Sequence, residues 1–273
     1  MAKTAGKPFS IKHQTGFGFI AACCFAMLYA PIIVLVAYSF NAGSTIAIWE
    51  GLSWRWYEAA WQNERVQEAT IVSLKVAISA ALIATTVATM AALATTRTEP
   101  YKGMTVIYAA INQPLMVPEI VTAVALLIFF AIIKVHTGYQ GLAYLIIAHS
   151  AFCIPFAYLP IRARLENMDL SLERAAADLY ASPFQAFRYV TLPLMLPGIM
   201  AGAMLAFVIS LDDVVITEFV KSGGQDTLPT YMLGQLRRII SPEINAISTV
   251  LLAISVAIVT VFFLLSRKGS SSS

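Results

Sequence analysis

Charge is scarce in this sequence. Only 12% of its 273 residues are Asp, Glu, Lys or Arg, against about 25% for an ordinary soluble domain. The formal net charge is just +3, which gives no basic face for nucleic acid. Cysteine is rare too: Cys23, Cys24 and Cys153 all lie inside apolar runs, with no Cys-x-x-Cys and no metal-ligand spacing. They read as packing residues. The three histidines, His13, His136 and His149, form no cluster, so no metal site is expected. A Walker phosphate loop, GxxxxGK[ST], is also missing, so the chain is not expected to bind ATP and Mg itself by that route. His149 has no GxSxG partner, which argues against Ser-His-Asp hydrolysis.

Apolar sequence fills the gap. The chain is 59% hydrophobic, with a mean hydropathy of +0.75, and its apolar runs reach the roughly 20 residues that cross a bilayer as a helix. Six spans can be read: 17–40, 69–95, 104–133, 138–161, 194–220 and 245–265. The fold class expected is all-α and polytopic. The divisions are a tail at 1–16, a first transmembrane helix at 17–40, an outer segment at 41–68, a core at 69–266 with an inner loop at 162–192, and a tail from 267 to 273. Within that last tail, Gly269 to Ser273 reads as flexible. The first run is too long for a signal-peptide core and lacks a small-residue cleavage site, so no cleavable signal is expected.

Basic residues set the orientation. With the N-terminus inside, the cytoplasmic segments hold Lys3, Lys7, Lys12, Arg97, Lys102, Arg162, Arg164, Arg174, Arg188, Arg267 and Lys268. The outer segments hold fewer: Arg55, Arg65, Lys134, Lys221, Arg237 and Arg238. Both termini are therefore expected in the cytoplasm. Trp49, Trp54, Trp56, Tyr57 and Trp61 in the first outer segment suit a helix lying at headgroup level. Ala80, Ala84, Ala88 and Ala92 repeat every fourth position, as do Gly198, Gly202 and Ala206. Such stripes let helix backbones approach closely in lipid. Pro114 and Pro118, with Glu119 beside them, free backbone carbonyls that are tolerable at membrane depth only against protein or water.

The inner loop is punctuated like a folded unit. Asp169 or Ser171 can cap a short helix, and Ser182-Pro183 can end it and start another. Leu172, Ala175, Ala176 and Leu179 fall at i, i+3, i+4 and i+7, one apolar stripe. Glu173, Arg174 and Asp178 lie off it. A helix of two turns is unstable alone, so the stripe must be buried, either in a partner's groove or against its own bundle. The residues leave both readings open.

The run Glu173-Arg174-Ala175-Ala176-Ala177-Asp178-Leu179-Tyr180-Ala181-Ser182-Pro183, followed by Thr191-Leu-Pro-Leu194 and Pro197-Gly-Ile199, resembles the Glu-Ala-Ala motif of binding-protein-dependent ABC importer permeases. Arg174 stands where that motif has Glu, and Tyr180 replaces its Gly. The turn after the helix therefore either avoids positive φ or accepts strain. Ile71 to Ala77, Ser210 to Thr217, Thr227 to Tyr231 and Ser241 to Thr249 resemble the spermidine/putrescine branch, in particular its second permease subunit. The resemblance implies a MetI-like permease core, a bacterial inner-membrane location, and no enzymatic activity of the chain's own. It also implies a second homologous permease, two ATPase subunits that bind ATP and Mg, and a periplasmic binding protein that delivers a polyamine. Related members carry other small cations, iron, or opine-like and amino-acid-derived compounds. In the family the motif helix enters a groove on the ATPase, which makes Ser171 through Tyr180, Ser182 and Pro183 the expected docking residues.

Asp212, Asp213 and Glu119 are ionisable groups at membrane depth, where such groups usually mark a pathway. They fit either a cation path or a structural role, such as capping a loop or pairing with Lys221 or Arg237. An intramembrane aspartyl protease needs two carboxylates converging from different helices, and adjacent Asp212 and Asp213 do not supply them. An ion-coupled secondary transporter would want paired repeats with broken helices in both halves, and six spans show neither.

Overall fold

A computed structural model of the chain describes residues 16–45, 48–99, 101–237 and 241–270; the tail read at 1–16 lies outside them but for Gly16. Twelve α-helices occur among these residues, with no strand beyond a single antiparallel bridge between Asn41 and Leu52. Six helical stretches are long and apolar enough to cross a membrane: Phe17–Tyr38, Glu64–Thr96, Glu119–Thr137, Ala143–Glu166, Pro183–Asp212 and Glu243–Val261. Contacts divide the chain into two units, one within Met1–Ala60 and Ile240–Leu251, the other within Trp61–Ile239 and Leu252–Ser273.

In the first unit, α1 (Phe17–Tyr38) buries none of its residues within the chain, as expected of a helix whose solvent is lipid. Beyond it the backbone is organised by side chains. Ser39 Oγ lies 2.6 Å from Tyr57 Oη. Buried Asn41 accepts from Gly43 N and Glu50 N and donates to Ile48 O at 2.6 Å. The short helix α2 (Arg55–Gln62) begins in this unit; beside it Phe40 stacks edge-on to Trp54, with ring centroids 4.9 Å apart. This is the aromatic segment expected at the headgroups.

The second unit is built on α3 (Glu64–Thr96), α6 (Ala143–Glu166) and α9 (Leu192–Asp212), which pack on one another. The small-residue stripes explain why. Ala80, Ala84, Ala88 and Ala92 are all buried, as are Gly198, Gly202 and Ala206. A Cβ added at Gly202 would stand 2.7 Å from the Ala157 carbonyl oxygen, and one at Gly198 the same distance from Arg164 Cβ. Only glycine lets α6 and α9 touch there. Hydroxyls inside the spans return to their own helix: Thr70, Thr86, Thr96 and Ser150 donate to carbonyls four residues back. Thr95 Oγ1 also meets Tyr158 Oη at 2.8 Å, joining α3 to α6.

Two expected spans are broken. The stretch read as one span at 104–133 is two helices, α4 (Met104–Met116) and α5 (Glu119–Thr137). Val117 is extended (ψ 136°), because a residue before proline is pushed out of the helical region. Pro114, by contrast, is carried inside α4. The stretch read to Val220 stops at Asp212, and α10 (Val215–Val220) follows after an extended Asp213 (ψ 134°). Two further helices complete the order: α11 (Leu228–Leu236) and α12 (Glu243–Ser270). α12 carries helical backbone to Ser270, past the span end read at 265 and into the stretch read as a flexible tail, whose last residues 271–273 lie outside the description.

Candidate functional site

The loop between α6 and α9 folds as its punctuation implied. Helix α7 (Ser171–Asp178) is two turns long. Neither candidate is the cap residue, which is Leu170; Asp169, one residue earlier, accepts from Ser171 N at 2.8 Å through its Oδ1, and Ser171 is the first helical residue. Bonding to Ser171 holds the Asp169 carboxyl below the usual carboxylate range. The chain turns at Leu179, Tyr180 and Ala181. Ser182 then opens α8 (Pro183–Ala186) with a capping box: Gln185 N donates to Ser182 Oγ and Ser182 N to Gln185 Oε1. A π-helical turn, Phe187–Thr191, leads into α9.

The apolar stripe of α7 is not folded back on its own unit. Leu172 is 46% exposed and Leu179 82%, while Ala175 is exposed and Ala176 half-buried. Tyr180 is 96% exposed and takes φ 59°, among the described residues the one non-glycine with positive φ. Of the two alternatives for that position, the turn accepts the strain. Phe184 and Tyr189 add exposed aromatic surface nearby in sequence. Arg174, Ala177 and Asp178 are exposed, as are Ser171, Ser182 and Pro183.

Glu173 is different: it faces inward. Its Oε1 accepts from Arg97 Nε at 3.1 Å and from Thr191 Oγ1 at 2.9 Å. Arg97 caps the end of α3 and Thr191 is the residue before α9, so one carboxylate oxygen joins three elements. Arg164 Nε also donates to Leu194 O at 2.8 Å, fastening α6 to the start of α9. Arg97 counted in the sequence only towards orientation, and Thr191 only as part of a motif string. Nothing in their spacing announces a shared partner 76 residues from one and 18 from the other.

At the other end of the unit the acidic residues separate. Asp213 is buried, and both its oxygens are engaged. Oδ1 accepts from Ile216 N at 3.3 Å, and Oδ2 accepts from Thr217 N at 2.9 Å and Thr217 Oγ1 at 2.8 Å. His149 Nε2 stands 3.4 Å from Oδ2 and 2.9 Å from Thr217 Oγ1, and its Nδ1 is 2.8 Å from Ser210 Oγ. Asp213 thus caps α10 and locks the α9–α10 break to α6. Glu119, at the α4–α5 break, brings its carboxyl beside Asp213. The structure does bring two carboxylates together, but Asp213 is buried and both its oxygens already accept bonds that hold the α9–α10 break. Asp212 is exposed. His149, which forms no cluster in the sequence, is the missed member of this network; its three partners, Ser210, Asp213 and Thr217, lie outside its own helix.

The quoted motif strings also meet. Leu228 N donates to Ser73 Oγ at 2.7 Å, joining the string at Ile71 to Ala77 with that at Thr227 to Tyr231. Between the start of α3 and the α10–α11 turn lies a cavity of about 490 Å³, lined among others by Arg65, Glu68, Glu218, Lys221, Asp226 and Tyr231. Lys221 Nζ bridges Glu218 at 2.6 Å and Asp226 at 2.7 Å. Glu218, near the end of the stretch read as the fifth span, therefore pairs with Lys221. Burial pulls the Lys221 ammonium down, but its bonds to Asp226 and Glu218 outweigh that and hold it above the ordinary lysine value. Among the described residues no group of His, Cys, Asp and Glu is arranged to hold a metal ion.

Six candidate spans, two helix breaks and a short helix whose apolar face is uncovered mark a polytopic membrane protein with a surface left open to a partner. Residues 102–268 match the family model described as the inner membrane component of binding-protein-dependent transport systems. The putrescine transport system permease protein PotI of Escherichia coli (strain K12) is 36% identical over 247 residues, 89% of this chain and 88% of that one. The spermidine/putrescine transport system permease protein PotC of Haemophilus influenzae is 36% identical over 246 residues, 90% and 94% of the two chains. In fold, the chain is similar to a crystal structure of a bacterial ABC transporter that imports alginate, with a TM-score of 0.66 at 14% identity over 96% of this chain and 99% of that one. The chain belongs to the binding-protein-dependent transport system inner membrane component family. It is a multi-pass inner-membrane permease subunit of an ABC importer, homologous to polyamine permeases.

Proposed function

We propose that this chain forms half of the membrane path of an importer for a polyamine such as putrescine or spermidine, and that α7 docks it on a separate ATPase. The observation that carries the docking is the uncovered stripe Leu172, Ala175, Ala176 and Leu179 on a helix too short to hold itself. The surface around it extends over Arg174, Ala177, Asp178, Tyr180, Ser182 and Pro183, while Ser171 starts the helix and Glu173 anchors it. A second homologous permease completes the path, two ATPase subunits bind ATP and Mg, and a periplasmic binding protein delivers the solute. Both termini and the α7 loop then lie in the cytoplasm, in keeping with the excess of Lys and Arg on that side.

The polyamine reading rests on relatives whose names state those substrates and on carboxylates at the helix breaks. With Asp213 spent on its own fold, Asp212 and Glu119 are the groups left to replace part of a cation's hydration. Selectivity among related cations is set largely by the binding protein.

The decisive experiment places a charge on the stripe. Ala176→Asp should abolish uptake and copurification of the ATPase, while the chain still inserts. Normal recovery of the ATPase with that variant would overturn the docking. For the substrate, Asp212→Asn and Glu119→Gln should slow uptake of labelled putrescine; unchanged kinetics in both would remove them from the path.

A further inference from the structure

We infer that Glu173, Arg97 and Thr191 form the clasp through which motion of the docking helix enters the membrane helices, a positioning device and not a docking contact. The inference rests on the docking assigned to α7 above.

Helix α7 offers its apolar face outward, so by itself it has little hold on the rest of the unit. Glu173 gives it one. Its Oε1 takes hydrogen bonds from Arg97 at the last turn of α3 and from Thr191 at the foot of α9. Both helices belong to the packed trio α3, α6 and α9, closed by buried alanines and glycines with no slack. The side chains of Arg97 and Glu173 are only 15% and 25% exposed, and Thr191 is buried. Screening by water and salt is therefore reduced. Arg97 Nη2 is buried without a hydrogen-bond partner, so the guanidinium is committed to this place chiefly by its Nε bond to Glu173. A displacement of α7 must either carry the ends of α3 and α9 with it or break a partly buried, charge-assisted pair. The covalent routes run from α7 through 167–170 to α6 and through α8 and the π-helical turn to α9, so the bond to Arg97 is what ties the docking helix to α3.

The test uses the assembled importer in proteoliposomes, with ATPase activity measured with and without solute-loaded binding protein. Arg97→Gln and Thr191→Val should keep the ATPase in the complex but lower its stimulation by the loaded binding protein about two- to thirtyfold, the range of mutations that weaken coupling between sites. Glu173→Arg alone should lose stimulation, and joining it to Arg97→Glu should recover most of it. Wild-type stimulation in both Arg97→Gln and Thr191→Val would overturn the clasp. So would loss of the ATPase from those complexes, since the residues would then be building the docking surface. A reversed pair no better than Glu173→Arg alone would do the same. Should Arg97→Gln fail to insert, Thr191→Val, which removes one hydroxyl at constant shape, decides the matter. The docking reading fails separately, by ATPase retained on Ala176→Asp.

Discussion

Tyr180 is the residue at which the side chain departs from the motif while the backbone keeps the motif's glycine conformation. With φ at 59° it holds a conformation that glycine adopts freely and a side chain does not. Tyr180→Ala removes the ring and keeps the strain, whereas Tyr180→Gly removes both. We expect the glycine variant to be the more stable of the two by about 1 kcal/mol, measured as thermal unfolding in detergent. Both should bind the ATPase less well than the parent if the ring, 96% exposed in the chain alone, lies against the partner. Glycines in the spans show the opposite economy. At Gly202 a methyl would meet a backbone oxygen at 2.7 Å, so Gly202→Ala should destabilise the chain by about 1–3 kcal/mol through overpacking, seen as a lower melting temperature. Asp213→Ala would strip the caps from Ile216 N and Thr217 N and should cost about 1–3 kcal/mol for donors left unsatisfied in a buried place.

At the scale of elements, the sequence was readable where a local rule decided the outcome. The capping box at Ser182, the helix at Ser171–Asp178 and the small-residue faces of α3 and α9 all follow from residues a few positions apart. The helix breaks were half legible. Pro118 announced trouble in its span, but that Val117 would turn extended, and that α9 would stop at Asp212 and not run on to Val220, depended on where Asp213 found its donors. What local reasoning could not reach were the long-range bonds: Arg97 to Glu173, His149 to Ser210 and Thr217, Ser73 to Leu228. The α10–α11 turn shows a pH dependence whose sign can be worked out. Its clamp residue Lys221 has a folded value above the ordinary lysine range, set by Asp226 and Glu218 against burial. A raised folded value means that the stabilisation is complete below the ordinary value of about 10.4 and is lost as pH climbs through the folded value. The Lys221 contribution to the melting temperature should therefore be full and independent of pH near neutrality and be lost in strong alkali, so Lys221→Met should lower the melting temperature at neutral pH and remove that alkaline share of the fall.

For the whole molecule, the six candidate spans make a definite topological statement. Alkaline phosphatase joined after Gly51, Gly138 or Gly223 should be active, and joined after Lys102 or Asn167 it should be inactive. The reverse pattern would turn the chain over and put α7 on the wrong side for any ATPase. The count of spans came from composition, because a bilayer imposes one length on every helix that crosses it. The unaided residues left the fate of the stripe on α7 open, since whether an apolar face folds back on its own unit depends on contacts far along the chain.

That bare face has a consequence for the cell. A copy of this chain made without its ATPase would hold Leu179, Tyr180, Phe184 and Tyr189 out into the surrounding water, where chaperones and quality-control proteases select clients by such surfaces. With the docking proposed above, its abundance should follow that of the ATPase and surplus chains should be short-lived, so that the exposed residues just after α7 would also keep the subunits of the importer in proportion.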